Sequence, residues 1–220
     1  MFATAEELLA AGVTLIQYRN KSGNARQMLA DARELKRIVG ARAMLIMNDR
    51  ADLCVATGFD GLHIGQDDIS PEAARRIIGP GDPQGLKPAF KEAFIGTAEA
   101  VPFPISPGAP LSAEGTGHRL LGLSTHNAEQ IAAADRTDAD YLAIGPVFAT
   151  SSKANPDPVV GLDGVRRARA LTGKPLVAIG GITRANARSV LDAGADSVAV
   201  ISDLVTDPRK SAEEFLRILR

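Results

Sequence analysis

Seven short apolar runs recur along the chain: "VTLIQY" (13–18), "AMLIMN" (43–48), "GLHIG" (61–65), "LLGLS" (120–124), "YLAIG" (141–145), "LVAIG" (176–180) and "SVAVI" (197–201). They are continuous rather than alternating, which predicts strands buried on both faces, as in a parallel sheet. Between them lie segments with helical spacing: "ARQMLADARELKRIV", "PEAARRII", "NAEQIAAA", "LDGVRRARAL", "TRANARSVLDAG" and finally "SAEEFLRILR". The alternation predicts right-handed βαβ units. Several strands are entered by one device, visible in "AAGVTLI", "ATGFDGLHI", "RTDADYLAI" and "DAGADSVAV", where a helix ends at glycine or a polar turn.

That cadence, with no G-x-G-x-x-G after any strand, predicts an α/β fold of the (β/α)8 TIM-barrel type rather than a doubly wound sheet. A closed barrel needs eight strands, yet the chain opens on a helix, "TAEELLAAG", with no strand before it. Either the start site is placed too late, or this is a seven-strand variant whose gap is filled by other residues or another subunit. A second irregularity is the Gly- and Pro-rich stretch 79–119, between the fourth helix and the fifth barrel strand, too long for an ordinary αβ loop. It falls on the face opposite the usual active site and is expected to be an insertion or a contact surface.

Composition narrows the class. With 220 residues and 45% hydrophobic content, one domain spanning 1–220 is expected. A net charge of −1 with dispersed Lys, Arg, Asp and Glu offers no field for nucleic acid or anionic membrane. No apolar run approaches the ~20 residues that span a bilayer. The single cysteine, Cys54, excludes an internal disulfide and reads as a small core residue of a cytoplasmic protein. Small molecules are the expected partners, and the composition allows a homo-oligomer.

In a barrel, the residues closing each strand look into one cup, so polar residues recurring there carry chemistry. They read "QYRNK" (17–21), "NDR" (48–50), "HIGQDD" (63–68), "STH" (124–126), "GPVFATSSK" (145–153), "GGIT" (180–183) and "ISD" (201–203). Asp49 and either Asp67 or Asp68 can form the carboxylate pair that holds Mg²⁺ beside phosphate oxygens; helix capping is the competing explanation for each. Gln17, Arg19 and Lys21 alternate, hence share a strand face, and with Lys153 and Asn48 they suit an anionic ligand. Gly180 and Gly181 leave backbone N–H groups open to a second phosphate, next to the close of the last strand, or else serve a tight turn. His126 fits an acid–base role or a helix entry, while the face taken by His63 stays undetermined. His118 receives no role.

Two anion sites and one metal suggest condensation of two phosphorylated molecules with diphosphate leaving. As an ordered set, Q-x-R-x-K, N-D, G-Q-x-D, G-x-S-x-H, G-P followed by T-x-[ST]-K, G-G-I-T and I-S resemble the thiamine-phosphate synthase family of (β/α)8 enzymes. The resemblance implies a transferase of thiamine biosynthesis. It joins 4-amino-5-hydroxymethyl-2-methylpyrimidine diphosphate to 4-methyl-5-(2-hydroxyethyl)thiazole phosphate through a pyrimidine-methyl cation, giving thiamine phosphate. It further implies that Gln17, Arg19, Lys21, Asn48 and Lys153 hold the pyrimidine diphosphate and that Asp49 and Asp68 bind Mg²⁺. Ser124 then sits near the pyrimidine, and Thr150, Ser152, Gly181, Ile201 and Ser202 hold the thiazole phosphate. Arg19, Lys21, Ser124 and Lys153 are its expected catalytic groups, and the loop "ATSSKANPDP" is the expected lid.

Three features depart from the family pattern: Ala149 stands where proline is usual, Ser152 replaces threonine, and the first strand is absent. Two rival readings follow. A thiazole tautomerase on a related barrel would use His126 as base and need no metal, but it has no diphosphate to occupy Arg19 and Lys21. A silent phosphate-binding barrel would turn nothing over.

Overall fold

The computed structural model describes residues 1–81, 118–150 and 157–219. The chain begins with α1 (Phe2–Ala10) and then alternates β1 (Leu15–Tyr18), α2 (Ala25–Val39), β2 (Met44–Asn48), α3 (Ala51–Thr57), β3 (Gly61–Ile64) and α4 (Pro71–Ile78). It continues with β4 (Leu120–Thr125), α5 (Ala128–Asp135), β5 (Tyr141–Ile144), α6 (Gly161–Leu171), β6 (Leu176–Ile179), α7 (Ala187–Asp192), β7 (Ser197–Ala199) and α8 (Pro208–Leu219). All seven predicted strands form, and they pair in parallel in sequence order from β1 to β7. Helix α3 escaped the helical-spacing criterion because seven residues make barely two turns, too few to display a period.

The sheet curls as a TIM-like barrel does. Its ends approach closely enough for α1 to pack against both α2 and α8, although β7 and β1 do not pair. Leu45, Leu62, Ile64 and Leu142 face the helices and are fully buried, while Leu15, Ile46 and Tyr141 fill the interior. Burial on both faces is why these strands lack a polar alternation. On the open edge, the inward Ser197 Oγ is buried without a hydrogen-bond partner among the described residues.

One aspartate device recurs at the N-terminal face of the sheet. Asp60, immediately before β3, donates its N–H to Leu45 O (2.8 Å) and accepts the Leu45 N–H on its carboxylate (2.8 Å). Asp140 does the same with Leu121 at 2.7 and 2.7 Å, and Asp196 with Leu176 at 2.8 and 2.8 Å. Each carboxylate also meets a cation: Lys36, Arg75 and Arg169 respectively. Lower-edge amides that would otherwise be orphaned are thereby satisfied, and adjacent strands are fixed in register.

Within the 79–119 stretch only the ends are described, and they are joined to each other. Arg119 N donates to Pro80 O (3.3 Å), and His118 Nδ1 lies 3.2 Å from Gly81 O. Cys54 is buried, its thiol 3.3 Å from Gly61 O, as a core residue should be. Among the described residues, no helix is long and apolar enough to cross a membrane.

Candidate active site

The strand C-termini surround a cavity of about 460 Å³, within the usual range for small-molecule sites. Every described residue expected at the site lines it: Gln17, Arg19, Lys21, Asn48, Asp49, Asp68, Ser124, Thr150, Gly181, Ile201 and Ser202. Ser152, Lys153 and most of the expected lid lie outside the described residues.

On the β1–β3 side, Gln17 and Asn48 project from neighbouring strands, 7% and 8% exposed. Neither amide has a hydrogen-bond partner among the described residues. A buried amide open only to a cavity is set to bind whatever polar ligand enters it.

Asp49 and Asp68 come together at the rim, close enough for the Asp68 carboxylate to act on that of Asp49. Burial, with Asp68 beside it, raises the Asp49 pKa, while contact with the Lys21 ammonium opposes the rise. Capping does not explain this pair. The side-chain cap of α4 is Ser70, whose Oγ accepts from Ala73 N at 3.2 Å, and α3 has no side-chain cap. Asp68 Oδ2 instead accepts the Gly65 N–H at 2.7 Å, and Asp49 holds a positive φ of 61° while its N–H donates to His63 O. A non-glycine residue in that region stores strain that commonly accompanies function. Among the described residues no three His, Cys, Asp or Glu gather as a protein-only cage. Two carboxylates with cations nearby fit Mg²⁺, which keeps most of its shell for water and phosphate. Asp67 also lines the cavity, but Asp68 is the residue in contact with Asp49.

His63 faces the cup. Its Nδ1 lies 2.9 Å from Tyr141 Oη and its Nε2 2.8 Å from Ser124 Oγ. Burial pushes its pKa down to about 4, so the ring is neutral near pH 7. This network was not predicted, although Gly122 was a clue. A Cβ there would lie 2.0 Å from Tyr141 Cζ and 2.5 Å from His63 Nδ1, so only glycine leaves room for both rings. Gln66 of G-Q-x-D also gains a role, its Nε2 donating to Ser124 O at 2.6 Å and tying the β3 loop to β4.

His126 lines the cavity with both ring nitrogens engaged. Nδ1 donates to Gly145 O at 2.6 Å, since a carbonyl only accepts, and Nε2 faces Asp157 Oδ2 at 3.4 Å.

Across the cup, Gly180 and Gly181 adopt φ of 86° and 65°. A side chain at Gly181 would strike Ala149 O at 2.5 Å, so the turn and the close approach both require glycine. The N–H groups of Gly180, Gly181 and Ile182 have no acceptor among the described residues. Consecutive free amides of this kind form an anion-binding concavity.

Fold and rim together define an α/β-barrel protein with a polar cup at the carboxyl ends of its strands. The family described as thiamine monophosphate synthase matches residues 1–85 and 111–204. Over 215 residues the chain is 55% identical to the thiamine-phosphate synthase of Koribacter versatilis, covering 98% of this chain and 84% of that protein. It is 37% identical to the thiamine-phosphate synthase of Chloroflexus aurantiacus, with 99% and 84% covered. The solved thiamine phosphate pyrophosphorylase from Pyrococcus furiosus superposes with a TM-score of 0.75 at 29% identity, covering 99% of this chain and 88% of that one. The chain belongs to the thiamine monophosphate synthase family.

Proposed function

We propose that this protein condenses 4-amino-5-hydroxymethyl-2-methylpyrimidine diphosphate with 4-methyl-5-(2-hydroxyethyl)thiazole phosphate, releasing diphosphate and forming thiamine phosphate. Family membership supports the activity. The observation that carries it to these residues is the convergence of a carboxylate pair, cations and unpaired amides in one cavity.

The carbon–oxygen bond to diphosphate must break, so negative charge develops on the departing oxygen. Groups that meet that charge lower the barrier. Arg19 and Lys21 provide fixed positive charge on the β1 side, and Asp49 and Asp68 would hold Mg²⁺. When bound, the metal supplies Lewis-acid stabilisation of the diphosphate oxygens. Gln17 and Asn48 bind the pyrimidine substrate through amides that give up no protein partner to do so. Ser124, held by His63, presents its hydroxyl beside the pyrimidine. Thr150, the Gly181 turn, Ile201 and Ser202 hold the thiazole phosphate on the opposite side, so the attacking nitrogen is delivered across the cup.

The open side between β7 and β1 is read as the place of an eighth strand. The packing of α1 on both α2 and α8 and the unpartnered Ser197 hydroxyl support this. The 79–119 stretch is read as an insertion closed at its base. The tautomerase reading gains no support from the relatives, which are named thiamine-phosphate synthase or pyrophosphorylase.

The test is to mix purified protein with both substrates and Mg²⁺ and convert the product to fluorescent thiochrome. Signal dependent on both substrates and abolished by a chelator is expected; no product from folded protein would favour the silent barrel.

A further inference from the structure

The glycine turn after β6 does not hold its own shape. Both glycines are at positive φ, and the amides facing the cup have no acceptor among the described residues. Phe148 N donates to Gly180 O at 3.1 Å and fixes the first peptide of the turn, so those after Gly181 must be held from elsewhere. Asn186, outside the cavity lining, spans the turn: its Oδ1 accepts the Thr183 N–H at 2.8 Å and its Nδ2 donates to Gly181 O at 3.1 Å. The backbone closes the same bracket, with Asn186 N donating to Thr183 O at 3.1 Å.

The consequence follows from peptide geometry. In a trans peptide the C=O and the following N–H point in opposite directions. Anchoring Gly181 O to Asn186 therefore turns the Ile182 N–H away from Asn186, toward the side where Ile182 lines the cavity. The neighbouring turn is fastened to the same bracket. Arg184 N and Nε donate to Asp203 Oδ2 at 3.0 and 2.9 Å, and its other arm contacts Glu214 of α8. Ile201 and Ser202, which line the cavity, immediately precede Asp203.

We infer that Asn186 is a positioning residue for the phosphate of the thiazole substrate: by anchoring Gly181 O it aims the Ile182 N–H at the same anion as the Gly181 N–H. The inference rests on the reading of that turn as the thiazole phosphate site. Aspartate cannot substitute, because it keeps the acceptor for Thr183, loses the donor to Gly181 and adds a negative charge behind the anion.

The test compares wild type, Asn186→Ala and Asn186→Asp by steady-state kinetics and by calorimetric titration with thiazole phosphate. Loss of one well-aimed charge-assisted hydrogen bond corresponds to about tenfold in affinity. Asn186→Ala is expected to raise KM and Kd for thiazole phosphate about tenfold, with kcat at saturation and KM for the pyrimidine diphosphate unchanged. Asn186→Asp is expected to be at least as impaired. Unchanged KM and Kd for thiazole phosphate, or equal losses toward both substrates, would overturn the inference while leaving the synthase reading intact. Wild type that binds thiazole phosphate but makes no product would overturn the synthase reading alone, since the Kd comparison still decides the role of Asn186.

Discussion

His63 Nε2 lies 2.8 Å from Ser124 Oγ, so an uncharged, buried imidazole fixes a hydroxyl at the floor of the cup. Protonating that ring means charging it largely out of reach of solvent. The unfolded chain takes the proton near pH 6.5, whereas the folded protein resists until about pH 4. Between those values the unfolded state binds more protons, so stability falls as pH drops through this window. The loss reaches about 3 kcal/mol at its low end. Thermal unfolding from pH 7 to 4 is expected to show this slope, and His63→Gln is expected to flatten it.

Asp49 carries its charge at a cost, being buried beside Asp68. Asp49→Asn removes that cost, so its melting temperature in metal-free buffer should equal or exceed that of wild type. Turnover should behave oppositely, with kcat/KM falling by about a hundredfold as metal-assisted charge stabilisation is lost. Thermal shift and thiochrome assays on the same sample check both.

Gly122→Ala places a methyl group 2.0 Å from the Tyr141 ring carbon and 2.5 Å from His63 Nδ1. Both rings are buried and neither is a flexible chain end, so overpacking should cost about 1–3 kcal/mol. Denaturant titration should show the lower midpoint. Turnover should fall as well, because the same collision displaces the partner of Ser124.

Burial raises the Cys54 thiol to about pKa 12. Native protein should therefore resist an aromatic disulfide reagent at pH 8 and release one equivalent of thiolate only on denaturation. Fast labelling of the native state would mean that the α3–β3 contact opens readily.

The architecture was legible wherever burial repeats. Each continuous apolar run became a strand, and the alternate positions Gln17, Arg19 and Lys21 did reach one cavity. Where burial is two-sided the signal fails. "GLHIG" is apolar throughout, so nothing local assigns His63 to a face; the answer lay 59 residues on, in the missing side chain of Gly122. The capping alternative for the aspartates fell only when Ser70 was seen to cap α4. The pairing of Asp60, Asp140 and Asp196 with leucines on preceding strands was likewise invisible, because the entry motifs showed only that a turn was needed.

The account depends most on two anion sites facing each other across one cup, and a crystal structure with thiamine phosphate, diphosphate and Mg²⁺ tests that directly. It predicts Mg²⁺ held by Asp49 and Asp68, the diphosphate beside it with Arg19 and Lys21, and the ester phosphate at the Gly181 and Ile182 N–H groups next to Ser202. Diphosphate bound away from the Asp49–Asp68 pair, or both anions crowded at the glycine turn, would contradict it.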